Sequence, residues 1–238
     1  MYSFGYPLSR PRQAMPRPSR NLDRALLAAG RILIEKAGAS GLTIRQVADA
    51  AGVNIGMFHY HFKTREAFVR AVLQETYDEM FLRLSTEVAR PADATPVEHL
   101  RGAIRVIARF LRDNRVFIAR VLADALGGDD IARDFLSHNL PRHFALLAQL
   151  IAEGQRTGAL KPLPPPQMLG FCAGAVGMPI LGAGMAVESG RLPKPVLRML
   201  ADTLLTDEAI DQRIDLALGA LAAVPAARAK PPRKRKTS

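Results

Sequence analysis

A chain of 238 residues is long enough to bury a proper core in one or two domains. Its single cysteine, Cys172, excludes an internal disulfide and fits a reducing cytoplasm, and without a Cys-x-x-Cys pair a structural zinc site is not expected. The net charge of +11 is uneven: Arg10, Arg12, Arg17 and Arg20 in residues 1–20, and Arg228, Lys230, Arg233, Lys234, Arg235 and Lys236 in residues 225–238, leave +1 for everything between. The N-terminus carries no apolar stretch of the kind a secretory signal needs.

Residues 1–20 read as a basic, disordered arm. Apolar residues then recur at helical spacing nearly throughout, strand signals are almost absent, and the fold class is all-α. A first helix is expected over about Asn21–Ala37, with Leu22, Leu26, Ala29 and Leu33 on one stripe and Gly38 at its end. Thr43 is placed to cap a second helix reaching Ala51. Gly52 follows, where the turn needs a residue that tolerates positive φ. A third helix covers Asn54–Phe62, and Val47, Val53 and Phe58 can share a small core of these three helices. A fourth begins near Thr64, with Phe68, Val72, Tyr77, Phe81 and Leu84 along it, before a loop marked by Pro91 and Pro96. Further helices are expected over Val97–Asp113, Val116–Leu126, Asp129–Arg156 with a kink at Pro141, Gln167–Glu188, Lys194–Leu205 and Asp207–Ala222. The tail 225–238 is again basic and Pro-containing. Such tails attract polyanions without reading sequence, or serve solubility.

Two short helices around a Gly-Val break, Thr43–Ala51 and Asn54–Phe62, have the pattern of a helix-turn-helix, whose second helix enters the DNA major groove. The string Gly56-Met57-Phe58-His59-Tyr60-His61-Phe62-Lys63-Thr64-Arg65-Glu66, with Phe68 beyond it, resembles the recognition helix of TetR-type transcriptional regulators. By motif the resemblance covers about residues 21–80. It implies a DNA-binding unit over 21–66, a larger helical effector-binding and dimerisation domain over 67–224, and a homodimer on a palindromic operator, acting in the cytoplasm and usually as a repressor.

The resemblance also implies site residues. Arg45 reaches a guanine edge or a phosphate. Asn54, Ile55, Gly56 and Met57 face the bases, Ile55 and Met57 through thymine methyls. His59 stands where the family usually has a phosphate-binding Tyr, His61 stands on a His/Tyr position, and Lys63 and Arg65 follow at the start of the next helix. Thr43 caps and also donates to phosphate. Tyr60 reads equally as core or phosphate contact. His59 and His61 point about 200° apart on a helix and cannot share a metal, so neither a metal nor a cofactor is expected.

The segment Met168–Val187 carries no charge and is long enough to span a bilayer. Its glycines and Pro179 fit a buried helix in a dimer seam better, and no membrane association is expected. A small-molecule effector would sit in the second domain, with Tyr77, Phe81, Phe110, Phe117, Phe135, His138, His143 and Phe171 as candidate lining. The scarcity of polar groups among them points to an apolar or aromatic ligand. Catalytic signatures such as G-x-S-x-G or H-E-x-x-H are missing, so an enzyme is not expected. The alternatives are a nonspecific DNA-architectural protein acting through its basic tails and, more remotely, a helical enzyme without a recognised motif.

Overall fold

Eleven α-helices occupy the described residues, 20–89 and 94–223, of the computed structural model. They are α1 (Arg20–Ala37), α2 (Ile44–Ala51), α3 (Ile55–Phe62), α4 (Arg65–Val88), α5 (Pro96–Asp113), α6 (Arg115–Gly127), α7 (Asp130–Arg156), α8 (Pro165–Cys172), α9 (Met178–Ser189), α10 (Lys194–Leu204) and α11 (Asp207–Leu221). Residues 1–19 of the expected basic arm, Pro91 and the basic tail 225–238 lie outside the described residues, and Arg20 begins α1.

Helix starts follow from local chemistry. Thr43 and Thr95 each form a capping box, with Gln46 and Glu98 reaching back to the cap backbone. Thr64, Asp129 and Thr206 accept from the amides of Ala67, Ala132 and Ala209. Gly52 closes α2 at φ 68°, and its amide returns to the Ala48 and Asp49 carbonyls.

Helix α7 carries Pro141 inside one continuous run, Asp130–Arg156. One expectation is corrected. The stretch 167–188 is not one regular helix, because a π-helical turn, Ala173–Gly177, joins α8 to α9. Pro179 has no N–H to return to the Ala175 carbonyl, and the wider turn sits where the regular ladder would fail.

The chain packs around two apolar clusters. The second domain's core joins Tyr77, Leu84, Leu100, Ile104, Ile151, Met168, Ile180, Ile210 and Ile214. The N-terminal cluster joins Leu26, Ile34, Leu42, Val47, Phe58, Phe68 and Val72 to Phe117 and Val121 of α6 and Ile131 and Ala132 of α7. The first three helices therefore lack the self-contained core expected of them; α4, α6 and α7 complete it.

Helices α5 and α11 are laced antiparallel by ion pairs: Arg101–Asp215 at 2.6 Å, Arg105–Asp211 at 2.6 Å and Arg109–Asp207 at 3.1 Å. Steps of four residues on each helix bring the charges into register. Each pair is partly exposed and contributes little alone, but the ladder fixes the sliding position of α11.

Gly30 marks a close approach of α1 and α4. A Cβ there would lie 2.5 Å from Phe68 Cζ, and Phe68 is fully buried. Gly30→Val is expected to overpack this crossing by about 1–3 kcal/mol, read as a lower midpoint in thermal denaturation.

Candidate nucleic-acid interface and interior cavities

Helices α2 and α3 present one open face. Thr43, Arg45, Asn54, Ile55, Gly56, His59 and Lys63 are exposed on it, and Met57 is half-buried. Asn54 caps α3, its Oδ1 accepting from the Met57 amide at 2.9 Å, which leaves its Nδ2 for another partner. No ion pair or hydrogen bond among the described residues holds the Arg45 side chain. His59 lies with Nδ1 3.0 Å from the Lys63 carbonyl and closes the end of α3. Lys63 follows at φ 58°, the one non-glycine residue in left-handed backbone among those described.

Tyr60, whose side was open from sequence, is 67% exposed and joins this face. A signal for it was available. Phe58 and Phe62 are four apart and turn inward, and Tyr60 stands two residues from both, about 200° around the helix.

Two expected DNA contacts point elsewhere. His61 is half-buried, with Nδ1 against the Asp23 carboxylate of α1. Arg65 donates from Nε to the Leu42 carbonyl at 2.6 Å and from Nη2 to the carbonyls of Ser40, at 3.0 Å, and Ala39. Its guanidinium pins the α1–α2 turn, because that turn would otherwise leave several carbonyls without donors.

The same turn is gripped from the other side by α6. The Asp124 carboxylate accepts from the Ala39 amide at 2.6 Å and from Ser40 Oγ at 3.1 Å. Gly38 precedes it at φ 78°, and a Cβ there would come within 2.8 Å of Asp124 Oδ1. Arg120 donates to the Glu35 carbonyl, and Arg31 lies over the Phe117 ring at 5.6 Å.

Behind α6 is a cavity of about 180 Å³ between α4, α5, α6 and α7. Tyr77, Phe110, Phe117, Phe135 and His143 line it, as expected from sequence. The other three candidates do not. Phe81 stacks on the Tyr77 ring from outside, His138 is exposed, and Phe171 is 44% exposed on the far side of α8. A second cavity of about 130 Å³ adjoins the first, and Ile107, Leu111 and His143 belong to both. No Asp, Glu, Lys or Arg lines either one.

The polar atoms are few and mostly committed. Tyr77 donates its hydroxyl to the Asn139 carbonyl at 2.8 Å, and burial pushes its pKa up. Thr76 donates to its own helix at Val72. The Cys172 thiol, in the second cavity, is also pushed up by burial, consistent with an inert thiol. Burial pulls His143 down to about 4, so its imidazole is neutral near pH 7.

The run Pro165–Ser189 is long and apolar enough to cross a membrane by length and composition. Met168, Cys172, Val176, Ile180 and Ala183 turn into the core. On the opposite face Phe171, Met178 and Met185 are 44%, 61% and 54% exposed. Gly170, Gly174 and Gly182 lie with open space where a Cβ would go.

A helix-turn-helix set on a larger helical domain with interior cavities has its likenesses among DNA-binding regulators. Residues 26–72 match the family model described as bacterial regulatory proteins, tetR family. The HTH-type transcriptional repressor DhaR of Mycobacterium sp. (strain GP1) is 26% identical over 144 residues, 60% of this chain and 72% of that one. The ketosteroid transcriptional regulator KstR2 of Mycobacterium tuberculosis superposes with a TM-score of 0.63 at 18% identity, over 87% of this chain and 97% of that one. AibR, solved with isovaleryl coenzyme A and operator DNA, gives 0.61 at 21% identity over 84% and 97%. Residues 26–72 thus carry the signature of the tetR family of bacterial regulatory proteins, and the wider fold is shared with these solved structures.

Arg65→Ala is expected to destabilise the fold by about 1–3 kcal/mol through orphaned carbonyls, whereas Arg45→Ala leaves the melting midpoint nearly unchanged; thermal denaturation compares them. His143 gives a pH signature. Its folded pKa lies below the unfolded value near 6.5, so between about pH 6.5 and about 4 the unfolded chain binds the proton first. Stability is expected to fall as pH drops through that window, by at most about 3 kcal/mol. His143→Phe should flatten that part of the pH profile.

Proposed function

We propose that the chain is a ligand-responsive repressor that binds a palindromic DNA operator as a homodimer and leaves it when a small apolar or aromatic effector fills the interior cavity. One observation carries this reading: Phe117 and Val121 line the cavity and also belong to the N-terminal core. A ligand pressing on that wall presses on the floor of the DNA-reading unit. Helix α4 reinforces the link, since Leu73, Tyr77 and Met80 line the cavity and its first residue, Arg65, holds the α1–α2 turn.

The DNA contacts proposed are Arg45, Asn54, Ile55, Gly56 and Tyr60 towards the groove, with Thr43, His59 and Lys63 towards phosphate and Met57 in partial support. His61 and Arg65 are positioning residues. The apolar face of α8 and α9 suits a second copy, because Phe171, Met178 and Met185 repeat every seven residues beside glycines that permit close helix approach. Burial against a partner helix also accounts for a membrane-like composition in a regulator working in the cytoplasm. Gly177, by contrast, faces Leu111 in the second cavity and not this seam.

A gel shift with operator fragments selected from random DNA tests the reading. Selected sites are expected to be palindromic and to resist random competitor; equal competition would favour nonspecific binding through the basic tails. Arg45→Ala should relax specificity at one base pair at a cost of ~1–3 kcal/mol. Lys63→Ala should weaken all sequences alike and lower the salt slope by about one. Met178→Arg is expected to shift the protein towards monomer in light scattering, and an unaltered dimer would place the seam elsewhere.

A further inference from the structure

The imidazole of His143 stands on the partition between the two cavities and is 7% exposed. Its Nδ1 lies 3.5 Å from Tyr77 Oη, which is itself 2.8 Å from the Asn139 carbonyl. With the Tyr77 hydrogen already given to the Asn139 carbonyl, its oxygen faces Nδ1 as an acceptor, so in the neutral imidazole Nδ1 carries the proton and Nε2 holds the lone pair. Nε2 makes no hydrogen bond among the described residues. In a mainly apolar wall, whose other polar side chains are Thr76, Tyr77, Asn139 and Cys172, that lone pair is open to a donor brought by a ligand.

Resting on the effector reading above, we propose that the two cavities form one site for an uncharged, mainly hydrocarbon molecule with a single hydroxyl, which donates its hydrogen to His143 Nε2. Three observations select that class. No ionic side chain lines either cavity, so a carboxylate, phosphate or ammonium group would be buried without a counter-charge. The Tyr77 and Thr76 hydroxyl hydrogens are already given to the carbonyls of Asn139 and Val72, so the wall offers acceptors and asks a ligand for a donor. The larger cavity, about 180 Å³, compares with the roughly 150 Å³ that holds one benzene ring in a protein core. The smaller, about 130 Å³, takes a short alkyl chain once Leu111 and Ile107 rotate. An alkylphenol has this shape. Neutrality of His143 from about pH 5 upward keeps the acceptor available across ordinary solution conditions.

Titration calorimetry of the full chain with 4-ethylphenol, ethylbenzene and 4-ethylbenzoate tests the assignment. Both uncharged probes are expected to bind and the benzoate not. His143→Phe should weaken 4-ethylphenol about tenfold, as for a hydroxyl left without its partner, and change ethylbenzene by less than about twofold. In wild-type protein the ¹⁵N resonance of His143 Nε2 should move with 4-ethylphenol and stay with ethylbenzene, a readout that does not depend on the variant folding. Equal losses for both probes with an unmoved resonance would reduce His143 to packing and overturn the hydroxyl assignment while leaving the cavity as an effector site. Benzoate binding as tightly as the phenol would overturn the uncharged class. Failure of all three probes to bind would overturn the effector-cavity reading together with this one.

Discussion

Phe117 and Val121 each serve two environments at once. They close the core that holds α1 to α4, and they wall the cavity between α4, α5, α6 and α7. Protein interiors are packed too densely for such a residue to move on one side only. Asp124 lies one turn further along α6 and holds the Ala39 amide and the Ser40 hydroxyl. The DNA-reading unit is therefore not a bead on a string. Its position is fixed by α6, and a rotation of α6 cannot leave the α1–α2 turn where it was.

The charges divide along similar lines. The arginines of α5 are matched to the aspartates of α11, and Arg115 of α6 to Glu188 of α9. Arg65 and His61, close in sequence to the open face, are spent on holding α1 and its following turn. What remains unpaired at that face is small: Arg45, Lys63 and the polar tips of Asn54 and Tyr60. A nearly neutral body limits long-range attraction to polyanions, so recognition there depends on short-range fit more than on field strength.

Local rules made much of this legible in the sequence. Thr43, Thr64 and Asp129 announce helix starts, Gly52 announces a positive-φ turn, and the spacing of Phe58 and Phe62 fixes the inner face of α3. The misses share a cause: each was decided by a distant partner. Arg65 and His61 turn inward because of carbonyls and a carboxylate some twenty to forty residues earlier, which no window over α3 contains. Phe171 is apolar for the same reason core residues are, and composition alone cannot tell a cavity wall from an outer seam. The π turn at 173–177 sits where Pro179 removes a donor, and the passage of α7 through Pro141 shows that a proline alone need not end a helix. The pairing of α6 with the N-terminal core spans about a third of the chain and leaves no periodic trace.

Helix α11 has a consequence for how the protein is made. Ile210, Ile214, Leu218 and Leu221 are part of the second core, and the Lys161 amide is satisfied only by the carbonyl of Leu221. Asp211 follows its partner Arg105 by 106 positions. At ~5–20 residues per second, synthesis of that interval takes roughly 5–20 s. Throughout it the nascent chain carries a half-built hydrophobic layer, and after Ser189 emerges it also displays the apolar run Pro165–Ser189, whose inner face still lacks α11. The order of the helices thus leaves the second core incomplete until α11 is made, and a chain stopped before Asp207 would keep that apolar layer exposed.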